Sequence, residues 1–290
     1  NPSLRTLASF QTAVAHLGGS SFVIQPGAGS WQLETRDGVR MDGAAQEHIN
    51  EAFPVLGQYC DILAVRCFAA GKVLDEDLGE TLFKRITGLS PVPFVNMESA
   101  SDHPCQALAD WKTLDDLEIP PNGRFVLSWA YHPKALAYAV PLAAASMAAR
   151  RGMDVRILRP APYALPAQGR ARIDAAALAG GGTVIETDDR DAALDGAHVM
   201  YCKSWAAPQL YGQSEQDDEL RKQFADWTVD EPWFHNAAPD AKFMHCLPVR
   251  RNVKVSDQVL DGPRSVVVQQ AANRLHVQKA VLAALAEDSH

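Results

Sequence analysis

The stretch FMHCLPVRRNVK, residues 243–254, decides how the chain is read. Phe243 and Met244 are apolar and follow the turn-like run NAAPD at 236–240, which predicts a short buried strand. His245 and Cys246 come next, Pro248 ends the strand, and Arg250, Arg251 and Lys254 place three cations within five residues. Polar groups at the carboxyl end of a buried strand stand where open α/β sheets bind ligands. Taken alone, the stretch reads equally well as a solvated basic loop beside a buried cysteine. Two further clusters shift the balance: SLRT at 3–6, and HPCQ at 103–106 shortly after Glu98.

Outward from 243–254, hydrophobic patterning alternates between strand and helix. Leu7, Phe10, Val14 and Leu17 recur at helical spacing before Gly18 and Gly19, predicting an amphipathic helix over 5–17. Strands are expected at 21–24, 61–65 and 92–97, helices at 46–56 and 75–87, and a long loop carrying Trp31 at 27–43. A helix from His103 to about residue 117 has Pro104 in its first turn, where a missing N–H costs nothing. PPNG at 120–123 predicts a linker. Beyond it, strands at 124–129, 154–158, 183–186 and 197–202 alternate with helices at 135–150, 170–179 and 189–195. Residues 206–222 have no clear assignment, and a helix is expected at 273–285. The rhythm predicts an α/β protein of two doubly wound parallel-sheet domains, with the active site in the cleft between them.

The 290 residues are 47% hydrophobic and 21% charged, an ordinary globular composition. A net charge of −8 argues against a nucleic-acid surface, so any anion site has to be local. The five cysteines form no CxxC pair, which predicts free thiols, a cytoplasmic protein and no metal site. The most apolar run, 135–149, contains Pro141 and is too short to cross a bilayer. No GxGxxG follows a strand, and GGG at 180–182 reads as a helix stop.

Within this frame several residues have local chemistry. Ser3 and Thr6 at a helix N-terminus, with Arg5, would suit a small dianion, although Ser3 by itself is equally an N-cap. Arg66 follows a strand and faces the crevice. His103 and Gln106, three apart, share a helix turn and could polarise a carbonyl oxygen. Lys203, beyond another strand end, suits a carboxylate.

HPCQALAD at 103–110, HCLPVRRNVK at 245–254, AANRLHVQKA at 271–280 and SLRT at 3–6, in register over nearly the whole chain, resemble the aspartate/ornithine carbamoyltransferase family, and within it the N-acetylornithine branch. The resemblance implies transfer of the carbamoyl group of carbamoyl phosphate to the δ-amine of N-acetyl-L-ornithine in arginine biosynthesis. It implies no cofactor, and a homotrimer with shared active sites. A carbamoyl-phosphate domain at 1–118, an amino-acid-substrate domain at 122–270 and a terminal helix at 271–290 packing back on the first domain are expected.

The same resemblance assigns residues. Carbamoyl phosphate would be held by Ser3, Leu4, Arg5 and Thr6, by Arg66, His103 and Gln106, and by Cys246, Leu247 and Arg274. Trp31 would close over it across a subunit interface. Arg66, His103, Cys246 and Arg274 are the expected catalytic group. Gln46, Glu98, Lys203, Leu247 and Arg250 would meet the acylamino acid, and Lys254 is a candidate for carboxylation. Gln46 matches neither the acidic residue of the acetylornithine branch nor the proline of the succinylornithine branch, so N-succinylornithine stays open as substrate. Ornithine is disfavoured, because KSWAA at 203–207 replaces the Ser-Met-Gly segment of ornithine enzymes. Leu7 stands where a second arginine is common, and a start at Asn1-Pro2 without Met predicts an N-terminally truncated sequence. Both leave open a noncatalytic carbamoyl-phosphate-binding paralogue.

Overall fold

Ser3 caps the first helix of the computed structural model, which describes residues 3–287; the outermost ends of the expected domains, 1–2 and 288–290, lie outside the described residues. The Ser3 Oγ accepts from the Thr6 N–H at 3.4 Å, and α1 (Leu4–His16) buries Thr6, Phe10 and Ala13. The expected strand at 21–24 is not formed. Phe22, Val23 and Ile24 are exposed and join no ladder among the described residues.

The expected loop at 27–43 is interrupted by β1 (Gln32–Glu34), which pairs in parallel with β2 (Ala45–His48). Gln46 therefore lies on a strand and not on the expected helix at 46–56. His48 sets that boundary: its Nδ1 accepts from the Asn50 N–H at 3.1 Å, capping α2 (Ile49–Leu56). A second parallel pair, β3 (Leu63–Arg66) and β4 (Phe94–Glu98), is connected through α3 (Leu74–Gly79) and α4 (Thr81–Leu89). One helix was expected at 75–87. It breaks at Glu80, which adopts φ 54 and uses its carboxylate to accept from the Ser101 N–H at 2.9 Å. Helix α5 (Pro104–Asp116) follows.

The second half is a five-stranded, wholly parallel sheet: β5 (Arg124–Trp129), β6 (Asp154–Leu158), β7 (Thr183–Thr187), β8 (Val199–Lys203) and β9 (Lys242–Met244), in the order β7-β6-β5-β8-β9. Its intervening helices are α6 (Ala139–Arg150), α7 (Ala167–Gly180), α8 (Arg190–Leu194) and α9 (Ser214–Lys222), and α10 (Asp257–Asp261) follows the last strand. Helix α6 starts later than expected because the Leu136 carbonyl is taken by the Ala206 N–H at 2.9 Å. Gly181, at φ 77, ends α7 as its left-handed cap. Helix α9 occupies the stretch that had no assignment.

Central strand β5 carries apolar side chains buried on both faces, among them Phe125, Val126, Leu127 and Trp129, as a covered parallel strand requires. Each such side chain stabilises the fold by roughly 1.5–3 kcal/mol relative to exposure. The alanine-rich face of α6 packs closely on α7 and α5. The last helix, α11 (Val267–Glu287), packs on α1 and α5, bringing the end of the chain beside its beginning. Connections leave β5 toward β6 on one side and β8 lies on the other, so a crevice opens beyond their carboxyl ends.

Candidate active site

A cleft of about 730 Å³ lies over the ends of β3, β4, β5 and β8 and is lined from both halves of the chain. One end is cationic. Ser3, Arg5 and Thr6 reach it from the start of α1, Arg66 from the end of β3, and Arg274 from α11. Arg274 is 3% exposed and donates from Nη2 to the Thr6 Oγ1 at 2.8 Å. Burial lowers its pKa below the ordinary guanidinium value, and its Nε has no hydrogen-bond partner among the described residues. The Arg5 Nε has none either. Buried donors left open in this way suit an incoming anion.

Arg66 binds Glu98 from Nη2 at 2.7 Å and from Nε at 3.2 Å, and its guanidinium lies 4.0 Å over the Phe68 ring. His103 Nε2 stands 3.5 Å from the same Glu98 oxygen. Burial, and then the positive field of Arg274, Arg66 and Lys203, holds His103 neutral with its pKa well below the usual histidine value. Gln106 lines the cleft but turns its amide N–H to the Asp110 Oδ1 at 2.8 Å. Its free Oε1 is an acceptor, so it suits a ligand N–H rather than a carbonyl oxygen.

At the other end Lys203 Nζ lies 3.5 Å from the Cys246 Sγ. Lys254 is 2% exposed. Burial, followed by repulsion from Lys203, pulls its ammonium down to about 7. His132 accepts at Nε2 from the Arg250 Nε at 3.1 Å, and its Nδ1 meets the Lys134 backbone, 2.9 Å from the carbonyl and 3.1 Å from the N–H. Burial lowers it to about 4. Across the mouth, the Tyr211 hydroxyl donates to the Asp77 Oδ2 at 2.7 Å, tying the second half to α3.

The cleft thus gathers Ser3, Leu4, Arg5, Thr6, Arg66, Glu98, His103, Gln106, Lys203, Cys246, Leu247, Lys254 and Arg274. Three expected residues do not line it. Arg250 is exposed and reaches the cleft only through His132. Gln46 is exposed on β2, and Trp31 is half exposed with Nε1 donating to Glu47 at 2.7 Å. Sequence reading passed over His132, Phe68, Tyr211 and Asp217, which do line it. His132 carried a usable signal, since it follows β5 much as Lys203 ends β8. Tyr211 carried none, lying in a stretch without periodicity.

Cations, a neutral imidazole and a thiol converging in one cleft suit transfer of a carbonyl group from an anionic leaving group. Residues 1–116 match the family model "Aspartate/ornithine carbamoyltransferase, carbamoyl-P binding domain" and residues 142–285 the model "Aspartate/ornithine carbamoyltransferase, Asp/Orn binding domain". The chain is 41% identical over 293 residues to the N-acetylornithine carbamoyltransferase of Xanthomonas campestris pv. campestris, covering 100% of this chain and 86% of that one. It is 38% identical over 278 residues to the N-succinylornithine carbamoyltransferase of Bacteroides thetaiotaomicron, covering 94% and 81%. A solved structure of acetylornithine transcarbamylase complexed with acetylcitrulline superposes with a TM-score of 0.93 at 40% identity, covering 98% of this chain and 86% of that one. A glutamate-to-proline mutant of N-acetyl-L-ornithine transcarbamylase, complexed with carbamyl phosphate and N-succinyl-L-norvaline, matches equally well. Two family domains matched in order, and full-length relatives at this identity, mean that the chain belongs to the aspartate/ornithine carbamoyltransferase family.

Proposed function

We propose that the protein transfers the carbamoyl group of carbamoyl phosphate to the δ-amine of N-acetyl-L-ornithine, giving N-acetylcitrulline and phosphate in arginine biosynthesis. The observation that carries this reading is one cleft with open buried guanidinium donors at one end and Lys203 beside Cys246 at the other. Similarity to N-acetylornithine carbamoyltransferases along the whole chain supports the acylated substrate.

Arg5, Arg66 and Arg274, with Ser3, Thr6 and the Leu4 backbone at the helix end, would hold the phosphate. His103, Arg66 and Thr6 would donate to the carbonyl oxygen as negative charge builds on it. The amine nitrogen attacks the carbonyl carbon, and the bond to the phosphate oxygen breaks with its electron pair leaving on phosphate. The departing phosphate, itself a base, carries off the amine proton. A free alkylammonium has a pKa of about 10.4. Desolvation beside Lys203 favours the neutral, attacking form. The Cys246 thiol and the Leu247 carbonyl would orient that amine, and Gln106 would accept from the carbamoyl N–H.

Glu98, Lys203, Leu247 and Arg250 would meet the acylamino-acid end, and Gln46 the acyl group. Trp31 and Gln46 would act on a neighbouring subunit's cleft in a cytoplasmic homotrimer, which accounts for their standing away from their own. Carbamoyl-phosphate and amino-acid domains at 1–118 and 122–270, with 271–290 returning to the first, fit this division of labour. Lys254, with its amine accessible near neutral pH, would take up carbon dioxide as a carbamate.

A succinyl substrate is the second reading. Gln46 is neutral, and a glutamate mutant of a solved relative is complexed with a succinylated ligand. The deciding assay offers carbamoyl phosphate with ornithine, N-acetylornithine or N-succinylornithine and measures ureido product. Turnover of one acylated amine alone supports the proposal and selects the acyl group. Turnover of ornithine alone overturns the acylated reading, and carbamoyl-phosphate binding without any turnover points to a noncatalytic paralogue.

A further inference from the structure

Leu247 sits at φ 56, in the left-handed region, which is strained for a non-glycine residue and persists where the surroundings enforce it. A single chain of hydrogen bonds supplies the enforcement. Asp110 on α5, 1% exposed, accepts at Oδ1 from the Gln106 Nε2 at 2.8 Å and from the Gln270 Nε2 at 2.7 Å. Gln270 on α11, fully buried, accepts at Oε1 from the His245 backbone N–H at 2.9 Å. His245, also fully buried, accepts at Nδ1 from the Leu247 backbone N–H at 2.9 Å. Asp110, Gln270 and His245 do not line the cleft.

We propose that Asp110 and Gln270 are positioning residues for the amine: through His245 they hold the Cys246–Leu247 turn in the conformation that offers both groups to the nucleophile. This rests on the carbamoyl-transfer reading above. Polarity runs one way along the chain, and the Asp110 Oδ1, which accepts from both amides, fixes its direction. That direction sets which end of the Gln270 amide faces His245. Without it, the amide could rotate and present N–H to N–H. The elements facing Asp110 contribute Gln106 from α5, Gln270 and Arg274 from α11, and Tyr201 from β8. Burial pushes the Asp110 carboxyl up to about 7 against the pull of those partners, and Oδ1 accepts in either protonation state.

Two variants test this against a merely structural role. Gln270→Leu keeps the volume and removes both hydrogen bonds. It should lower kcat/KM for the acylornithine about 10- to 100-fold, as expected when a reacting group is displaced, and leave the carbamoyl-phosphate Kd unchanged. Gln270→Glu alone sets two acceptors against each other. Combined with Asp110→Asn, the contact between the two positions reverses: the new amide donates from Nδ2 to the new carboxylate and keeps its Oδ1 toward the Gln106 N–H, while the new carboxylate still accepts from His245. The double variant should regain most of the acylornithine kcat/KM lost in Gln270→Glu. Parent kinetics in Gln270→Leu would overturn the proposal. So would equal losses of carbamoyl-phosphate affinity and turnover with no rescue in the double variant, and the rescue decides alone if Gln270→Leu fails to fold. A parent protein that binds carbamoyl phosphate but carbamoylates no acylornithine would remove the carbamoyl-transfer reading, and this proposal with it.

Discussion

Arg274 donates to the hydroxyl of Thr6 at 2.8 Å, so the last helix and the first share one buried polar contact at the anionic-ligand end of the cleft. The guanidinium is almost fully buried and depressed in basicity, with its Nε unpaired among the described residues. A buried charge in that condition is costly until an anion arrives. The Thr6 hydroxyl orients it meanwhile.

Thr6→Val keeps the shape and deletes that acceptor. A hydrogen bond to a charged group is worth about 1.5–3 kcal/mol, so kcat/KM for carbamoyl phosphate should fall about 10- to 100-fold. Arg274→Leu should fall further and abolish the rise in Tm that carbamoyl phosphate gives the parent. Initial rates and thermal shift check both. An unchanged kcat/KM in Thr6→Val would mean that the hydroxyl serves only the helix.

Stability should fall in mild acid. His103 and His245 are held neutral in the fold with pKa values well below 6.5, first by burial and then by neighbouring cations. The unfolded chain therefore binds more protons below about 6.5. Their contribution is present above that pH and is lost as pH drops below it toward the folded values. Asp110 works in the opposite sense: raised from 3.8 to about 7, it contributes stability present below 3.8 and lost as pH rises through about 7. Urea midpoints measured from pH 8 to pH 5 should thus fall with acid in the parent and fall less in His103→Gln. A parent midpoint that rises throughout would show that the histidines do not dominate.

Lys254 should react with carbon dioxide. Its pKa of about 7 leaves much of it as free amine at neutral pH. The amine nitrogen bonds to the carbon of CO2 and releases a proton, turning a buried cation into an anion beside Lys203. Labelled bicarbonate should give a carbamate NMR signal that grows as pH rises through about 7 and is absent in Lys254→Arg. If the site needs the carbamate, CO2-depleted protein should regain activity on adding bicarbonate. A signal of equal size in Lys254→Arg would assign the carbamate elsewhere.

Much of this site was legible because strand ends and helix starts announce themselves. Arg66, His103, Cys246 and Lys203 follow or begin strongly patterned elements, and the fold brings all four to one cleft. Sequence reading went astray where a side chain overrode local pattern. His48 caps α2 and leaves Gln46 on a strand, and Glu80 ends α3 by turning toward Ser101. The buried Asp110–Gln270–His245 chain was invisible for another reason. Its partners lie up to 160 residues apart, so only the packing of α11 on α5 creates it.

Trp31, just before β1, and Gln46, on the neighbouring parallel strand β2, are exposed and stand away from the cleft of their own chain. If they serve a neighbour's cleft, a defect in Trp31 and a defect in His103 damage different subunits' shares of one site. Trp31→Ala and His103→Ala proteins should each be nearly inactive as pure assemblies. Dissociated, mixed equally and reassembled, they should recover about a quarter of parental activity, because random head-to-tail pairing joins two intact halves at that frequency. Activity no greater than the average of the two parents would place both residues within one subunit's site or outside any. In the same assemblies, Gln46→Glu should selectively weaken a succinylated substrate, since a carboxylate set beside the succinyl carboxylate repels it while an acetyl group is indifferent.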